Sequence, residues 1–185
     1  RLALCILLIS GTLCIQAKND NVFKPIVDSI NNLFTEMAKT TSDAKKESKN
    51  AEIILIMKDF LHNPLSFDHP IDTLKFLSCV KSDDNVIRVY TWNINYNDGS
   101  FKYFGFVQQK AGGKISIYSL DDMRNHNPNQ DFGKEFNYYT TSEWYGCIYY
   151  ECITKNWNSR TYYTLLGWDG ADHHINRKII EVLSF

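Results

Sequence analysis

The feature that most constrains the fold is a pair of strand-like segments, VIRVYTWNINY and FKYFGFVQQK, joined by residues 97–100. Both segments are rich in β-branched and aromatic residues, which favour strands. The Asp98-Gly99 pair between them readily takes the positive φ angles of a two-residue type I′ turn. The sequence therefore predicts an antiparallel hairpin in which Trp92 faces Gly105 across the two strands.

This register places an aromatic row on one side of the predicted hairpin. Its members are Tyr90, Trp92, Ile94, Tyr96, Phe101 and Tyr103. An exposed row of this kind offers flat rings to sugars, whereas a covered row forms part of the core. Aromatic rows on one sheet face belong more often to the core, so the core interpretation is favoured.

Two helical patterns precede the hairpin. Apolar residues from Val22 to Met37 recur at three-to-four spacing, which is typical of an amphipathic helix. A second apolar run, AEIILIMKDFLHNP, ends at Asn63-Pro64 and is predicted to be a helix, with a strand as the alternative. The polar stretch KTTSDAKKESKN between them is interpreted as a linker or a frayed, solvated helix.

Further strand patterns follow the hairpin: ISIYSL, WYGCIYYECITK, RTYYTLLGW and RKIIEVLSF. The predicted fold is therefore α+β, with two N-terminal helices packed on an antiparallel, mainly meander sheet of about six strands. The helical segment covers residues 18–65, and the β region of the same domain covers residues 66–185. The last strand pattern has no turn or polar tail after it, so we expect more sequence beyond Phe185.

The N-terminal stretch RLALCILLISGTLCIQA, residues 1–17, has the charge, apolar run and small final residue of a secretory signal peptide. Its apolar run is shorter than the ~20 residues that cross a bilayer. Lipidation at Cys14 is the less favoured route, because Leu13 stands where a small residue is expected. The chain is therefore predicted to be exported, to the periplasm or the cell surface.

Charge and cysteine content limit the partners and the chemistry. Beyond residue 17 the chain has 20 − 1 = 19 basic and 21 acidic side chains, a formal charge of 19 − 21 = −2, which argues against nucleic acid. Cys147 and Cys152 should point to opposite faces of one strand, so Cys79 either pairs with one of them or all three are buried thiols, the favoured alternative. No zinc spacing or phosphate loop is present, and no cofactor is predicted.

The motif GWDGADHH brings two carboxylates and two imidazoles within six residues of the chain. Its candidate ligand-binding residues are Trp168, Asp169, Asp172, His173 and His174. Carboxylates and imidazoles are metal ligands, but this spacing matches no established zinc pattern. The favoured interpretation is a turn joining two strands, with no catalytic residue or metal assigned. Asp121 and Asp122, at the end of ISIYSL, are interpreted as loop acids.

The segments SDDNVIRVYTWN, WYGCIYYECI and YYTLLGWDGADHHINRKIIEVLSF resemble a family of uncharacterised exported bacterial proteins. The likeness covers roughly residues 82–185, and its most specific part is the YTLLGWDG…KIIEVL block. The resemblance implies an exported, β-rich protein and brings no catalytic residue, cofactor or substrate with it.

The predicted function is a non-enzymatic, exported binding or accessory module of the cell envelope. Its expected partner is a glycan, a peptide or an envelope protein, and no transmembrane span is expected in the mature chain. The alternative is a metal-assisted hydrolase that uses the loop from Asp169 to His174.

Overall fold

The computed structural model describes residues 22–123, 138–170 and 176–185. The predicted signal peptide lies outside the described residues. Helix α1 covers residues 22–39, and helix α2 runs from Asp43 to His62. The second apolar run is thus a helix, as predicted, and it ends immediately before Asn63-Pro64.

The predicted linker is mostly helical, because α2 begins within it. The Ser42 hydroxyl accepts a hydrogen bond from the Lys45 backbone N–H and caps the helix. The polar residues of this first half contact the sheet: the Lys46 ammonium donates to the Asn95 carbonyl at 2.7 Å, and the buried Asn50 side chain accepts from the Trp92 indole. These contacts fix a stretch that has no apolar face of its own.

Seven strands form two antiparallel sheets. The first sheet has the order β1 (Ser78–Lys81), β2 (Ile87–Asn95), β3 (Phe101–Ala111), β4 (Lys114–Asp121). The second has the order β5 (Ile148–Trp157), β6 (Arg160–Asp169), β7 (Arg177–Leu183). The α+β class and the meander order are confirmed. The number of strands differs because the short β1 was not predicted, and the predicted single sheet is divided in two, since β4 and β5 do not pair.

The four-stranded sheet is the middle of three layers. One of its faces packs against the two helices, through residues such as Ile30, Met57 and Trp92. Its other face packs against the three-stranded sheet, through residues such as Val107 and Leu165. The central sheet is therefore covered on both faces, whereas the described residues cover only one face of the three-stranded sheet.

The hairpin between β2 and β3 forms as predicted, but its register is shifted by one residue. Tyr96 and Ser100 close a three-residue loop, and Gly99 takes the left-handed φ of 83° that such a loop requires. Trp92 consequently pairs with Phe104, and Gly105 pairs with Thr91. The predicted pairing of Trp92 with Gly105 is wrong, because the loop has three residues instead of two.

The absence of a side chain at Gly105 has another cause. A Cβ atom at this position would lie 2.7 Å from the Tyr90 carbonyl oxygen and 3.0 Å from side-chain carbons of Leu120 and Thr91. These distances are shorter than van der Waals contact, so the close approach of neighbouring strands requires glycine here.

The one-residue shift divides the predicted aromatic row between the two faces of the sheet. Tyr90, Trp92, Ile94 and Tyr96 face the helices, whereas Phe101 and Tyr103 face the three-stranded sheet. Trp92 is 1% exposed and donates its indole N–H to Asn50 at 2.7 Å. The core interpretation is confirmed for both halves of the row, and neither half forms an exposed sugar platform.

The prediction that Cys147 and Cys152 point to opposite faces is wrong. A β-bulge between Tyr149 and Glu151 inserts an extra residue, and it returns both cysteines to the core between the sheets. The three cysteines in the described part are free thiols, as the favoured alternative predicted, but only Cys147 and Cys152 are buried, and Cys79 is partly exposed. Burial raises the thiol pKa of Cys79 to about 12 and that of Cys152 to about 11, which keeps both protonated and unreactive.

Candidate functional site

The GWDG part of the motif lies at the end of β6, and the motif connects β6 to its antiparallel neighbour β7. Asp169 pairs with Arg177 at the last position of the ladder between these strands. The motif thus lies between two paired strands, and the residues of the predicted turn beyond Gly170 lie outside the described residues. Of the candidate residues, Trp168 and Asp169 are described, whereas Asp172, His173 and His174 lie outside the described residues.

Asp169 points into the protein and is 0% exposed. Its Oδ2 atom accepts hydrogen bonds from the Tyr145 hydroxyl at 3.0 Å and from Arg177 Nη1 at 3.2 Å. Burial and the neighbouring Asp169 carboxylate raise the pKa of Tyr145, so the phenol keeps the proton that it donates. The carboxylate therefore ties together β6, β7 and the segment before β5.

A second buried carboxylate, Asp122, lies in the same end of the sandwich. Its Oδ2 atom accepts the backbone N–H of Tyr103 at 3.0 Å, and the Tyr103 hydroxyl accepts the backbone N–H of Gly170 at 2.8 Å. Gly146 has a φ of 87°, and a Cβ atom there would lie 2.6 Å from the Asp122 carboxyl carbon. We call Asp122, Tyr145, Asp169 and Arg177, with Tyr103, the end cluster.

Sequence reasoning found one member of the end cluster, Asp169, and interpreted Asp122 as a loop acid. Asp122, Tyr145 and Arg177 are far apart in the chain, and no short motif links them. In the part of the chain that the structure describes, no group of three or more His, Cys, Asp or Glu side chains is arranged to hold a metal ion. The contacts of the end cluster are those of a structural network.

Trp168 lies beside this cluster on the opposite side of β6. It is partly exposed, and its indole N–H donates to Asn176 Oδ1 at 3.1 Å. The edge of its ring meets the Phe101 ring at a centroid distance of 5.9 Å. Trp168 thus lies on the outward side of the three-stranded sheet.

We define the outer face as the side of the three-stranded sheet that points away from the four-stranded sheet. Its apolar members are Tyr150, Ile153, Trp157, Tyr162, Leu166, Trp168, Ile180 and Val182. The exposed fractions of Ile180, Trp157 and Val182 are 71%, 65% and 60%. Inward-pointing neighbours on the same strands, such as Tyr163 and Leu165, are 3% exposed, so burial alternates cleanly along β6.

The apolar side chains of the outer face lie beside one another across the strands. Ile153 pairs with Thr164, and Thr164 pairs with Val182, so one threonine separates the two apolar side chains of this row. Leu166 and Ile180 form the next row. Contiguous exposed apolar rows are unusual on a monomeric protein and mark surfaces that bind something.

The charged side chains around the outer face are mostly basic. Lys155, Arg160 and Lys178 lie on it, against one carboxylate, Glu151. The Lys178 ammonium lies 5.0 Å from the centroid of the Tyr150 ring, a cation–π contact that holds it over the sheet. The outer face therefore combines an apolar centre with a local excess of positive charge, on a chain whose net charge is −1.

A buried acid lies beneath this sheet, in the core between the sheets. The Tyr149 hydroxyl donates to the Glu181 carboxylate, and the Trp144 indole donates to the Tyr149 hydroxyl at 2.7 Å. Burial raises the pKa of Glu181, and burial together with Glu181 raises that of Tyr149. Glu181 thus points inward from β7 and is held by a neutral donor.

A shallow open pocket of about 440 Å³ lies where α1 meets α2, and it is lined by Glu36, Lys39, Thr40, Lys45, Ser48 and Lys49. The Lys49 ammonium nitrogen lies 2.8 Å from the Glu36 Oε2 atom, so the carboxylate compensates the charge of this lysine. The exposed side chains of this pocket form a solvated surface.

Neither helix of the described residues is long and apolar enough to cross a membrane. Comparison with models of protein families, with curated proteins and with solved structures finds no match to this chain. The resemblance to exported bacterial proteins therefore stays a prediction, and the function is argued from the geometry above.

Proposed function

We propose that this chain is a non-enzymatic, exported binding module of the bacterial cell envelope, and that it binds a polypeptide through its outer face. The observation that carries the proposal is the contiguous apolar surface around Ile153, Ile180 and Val182. Large exposed apolar patches rimmed by charge are characteristic of protein interaction sites.

The composition of the outer face favours a polypeptide over a glycan. Its centre is aliphatic, and Ile153, Ile180 and Val182 have no flat ring on which a sugar can stack. Of its four aromatic side chains, Tyr162 and Trp168 are only partly exposed, whereas Tyr150 and Trp157 are exposed and lie at opposite ends of β5. Tyr150 and Trp157 are seven residues apart, roughly 23 Å along a strand, so their rings do not form one continuous aromatic platform.

The hydrolase alternative receives less support. The Asp169 carboxylate already accepts two hydrogen bonds, from Tyr145 and Arg177, and its exposed fraction is 0%. A metal ion at this carboxylate would have to displace the Arg177 guanidinium. Export is supported by the apolar N-terminal run and by the resemblance of residues 82–185 to exported proteins.

Thermal-shift measurements on the mature chain test this function, because a ligand that binds only the native state raises its melting temperature. The ligands are a library of extended peptides, a panel of envelope glycans, and divalent zinc, manganese and calcium. The matched variant is Ile153→Ser with Ile180→Ser, which makes the outer face polar and leaves the end cluster intact.

We expect shifts with peptides that the variant no longer shows. Shifts with glycans alone would contradict the polypeptide ligand. A metal shift that survives the double substitution but disappears in Asp169→Asn would favour the hydrolase alternative and overturn the proposal.

A further inference from the structure

The outer face ends at a strand edge with unused backbone groups. In the order β5-β6-β7, strand β7 lies at the margin, and within the described residues it pairs only with β6. Every other backbone N–H and C=O of β7 therefore points away from β6, and no strand of the described residues pairs with these groups. Such an edge is a template for a further strand.

Of the devices that block a strand edge, β7 lacks proline and a bulge, and its charged side chains Arg177, Lys178 and Glu181 each contact another residue of the protein. Its seven residues contain no proline, and its ladder with β6 runs from Leu183 to Arg177 without a bulge. The inward acid Glu181 is held by Tyr149, and the Lys178 ammonium lies over the Tyr150 ring. The edge is regular and long enough to accept a strand of equal length.

An added strand would continue the rows of the outer face. Side chains on its outward side would lie beside Lys178, Ile180 and Val182, because directly opposed residues point to the same face. Apolar residues fit beside Ile180 and Val182, which are 71% and 60% exposed. An acidic residue fits beside Lys178.

Charge also distinguishes a foreign strand from a second copy of this chain. The outer face carries three cations and one carboxylate, an excess of two positive charges. Two copies paired through β7 would bring two positively charged outer faces together on one continuous sheet, and their mutual repulsion opposes this pairing. An acidic partner strand relieves the same repulsion.

We propose that β7 binds an extended strand of a partner protein by backbone pairing, and that this strand carries apolar, apolar and acidic residues at alternate positions opposite Val182, Ile180 and Lys178. This inference rests on the proposed function and specifies its partner. Backbone pairing supplies the affinity, and the alternate side chains supply the selectivity.

The test uses the mature chain and a synthetic peptide of the same length as β7. The peptide has valine, valine and glutamate at alternate positions, in the order set by antiparallel pairing, and threonine elsewhere. The control peptide has the same sequence with two N-methylated amides on the edge that would face β7. Binding is measured by fluorescence anisotropy, and strand pairing is measured by amide hydrogen exchange.

We expect the unmethylated peptide to bind and to protect alternate amides of β7, and the N-methylated peptide to bind about tenfold more weakly, because two hydrogen bonds are lost. Lys178→Glu should weaken binding roughly threefold or more. The matched variant Lys58→Glu carries the same charge change on α2, which packs on the other side of the four-stranded sheet, and should leave the affinity unchanged.

Three results overturn the inference. Binding that is equal for both peptides, and is lost in the Ile153→Ser and Ile180→Ser variant, would leave the outer face a binding site but exclude backbone pairing. No binding of either peptide would reject the partner strand, while the peptide library described above would still decide the proposed function. Concentration-dependent dimers with β7 protected in the absence of peptide would assign the edge to a second copy.

Discussion

The helix-facing side of β2 and the outer face of β5 to β7 both carry aromatic and aliphatic side chains, but the first is buried under the helices and the second is exposed. Trp92 on the first is 1% exposed, packs near Phe34 and donates to Asn50, whereas Trp157 on the second is 65% exposed. In both β2 and β5, successive side chains point to opposite faces of the sheet, so each strand has two sides. The difference shows that alternation defines two sides of a strand, and that the packing of other elements decides which side is covered.

The largest expected effect on stability comes from replacing a tryptophan on each of these two surfaces with alanine. Trp92→Ala should lower the free energy of unfolding by about 3–5 kcal/mol, because it opens a cavity and leaves Asn50 without its donor. Trp157→Ala should change it by less than about 0.5 kcal/mol. Denaturant unfolding of both variants measures the contrast, and equal losses would mean that both rings are packed.

The next effect concerns the end cluster. Asp169→Ala should cost about 2 kcal/mol, because it removes a fully buried acceptor from Tyr145 and Arg177, with a discount for the 49% exposure of the Arg177 side chain. Asp169→Asn keeps an acceptor oxygen and should cost less. Unchanged stability in Asp169→Ala, measured by the same unfolding transition, would argue that this carboxylate is kept for chemistry instead of structure.

A smaller, pH-dependent effect tests the acid beneath the outer face. Burial raises the folded-state pKa of Glu181 above its ordinary value of 4.5, so the native state holds the proton more tightly than the unfolded state. Its contribution to stability is complete below pH 4.5 and is lost as the pH rises through the folded-state pKa. Glu181→Gln stays neutral, so it should be more stable than the parent at pH 8 and gain nothing at pH 4.

Unfolding curves at both pH values measure this difference. Tyr149→Phe serves as the control, because it removes the donor to Glu181 and leaves the acid in place. A gain from Glu181→Gln that is the same at pH 4 and pH 8 would contradict the raised pKa.

The smallest effect is expected on the outer face itself. Ile180→Thr keeps a β-branched side chain on β7 and should change the free energy of unfolding by less than about 0.5 kcal/mol, because Ile180 is 71% exposed. Leu165→Thr on the buried side of β6 is the matched control and should cost several times more. A loss above about 2 kcal/mol for Ile180→Thr would show that the outer face is covered in the free chain.

Much of the fold follows from local sequence signals. The spacing of apolar residues predicted α1, the length of an apolar run that ends at Pro64 predicted α2, and strand texture with Asp-Gly predicted the β2–β3 hairpin. The register was not predictable, because Asn97, Asp98 and Gly99 fit a three-residue loop as well as Asp98 and Gly99 fit a two-residue one. The short strand β1 was not predicted, because four residues are too few to show a clear alternation of apolar and polar side chains.

The candidate site was less predictable than the fold. Asp169 was identified from the sequence as a candidate ligand-binding residue at a strand connection. Its partners Tyr145 and Arg177 lie on other elements, and only the tertiary structure brings the three together. The outer face could not be recognised from β5, β6 and β7 alone, since the same alternation in β2 is buried on both sides. The bulge at Tyr149 and Glu151 further hid which side of β5 is inward.

Hydroxyl-radical footprinting of the free mature chain tests the central claim most directly, because the rate of side-chain oxidation follows solvent exposure. The account predicts fast oxidation of Trp157 and Tyr150, which are 65% and 49% exposed, and strong protection of Trp92 and Tyr90, each 1% exposed. Protection of Trp157 and Tyr150 to the level of Trp92 would show that the outer face is already covered, and it would contradict the account.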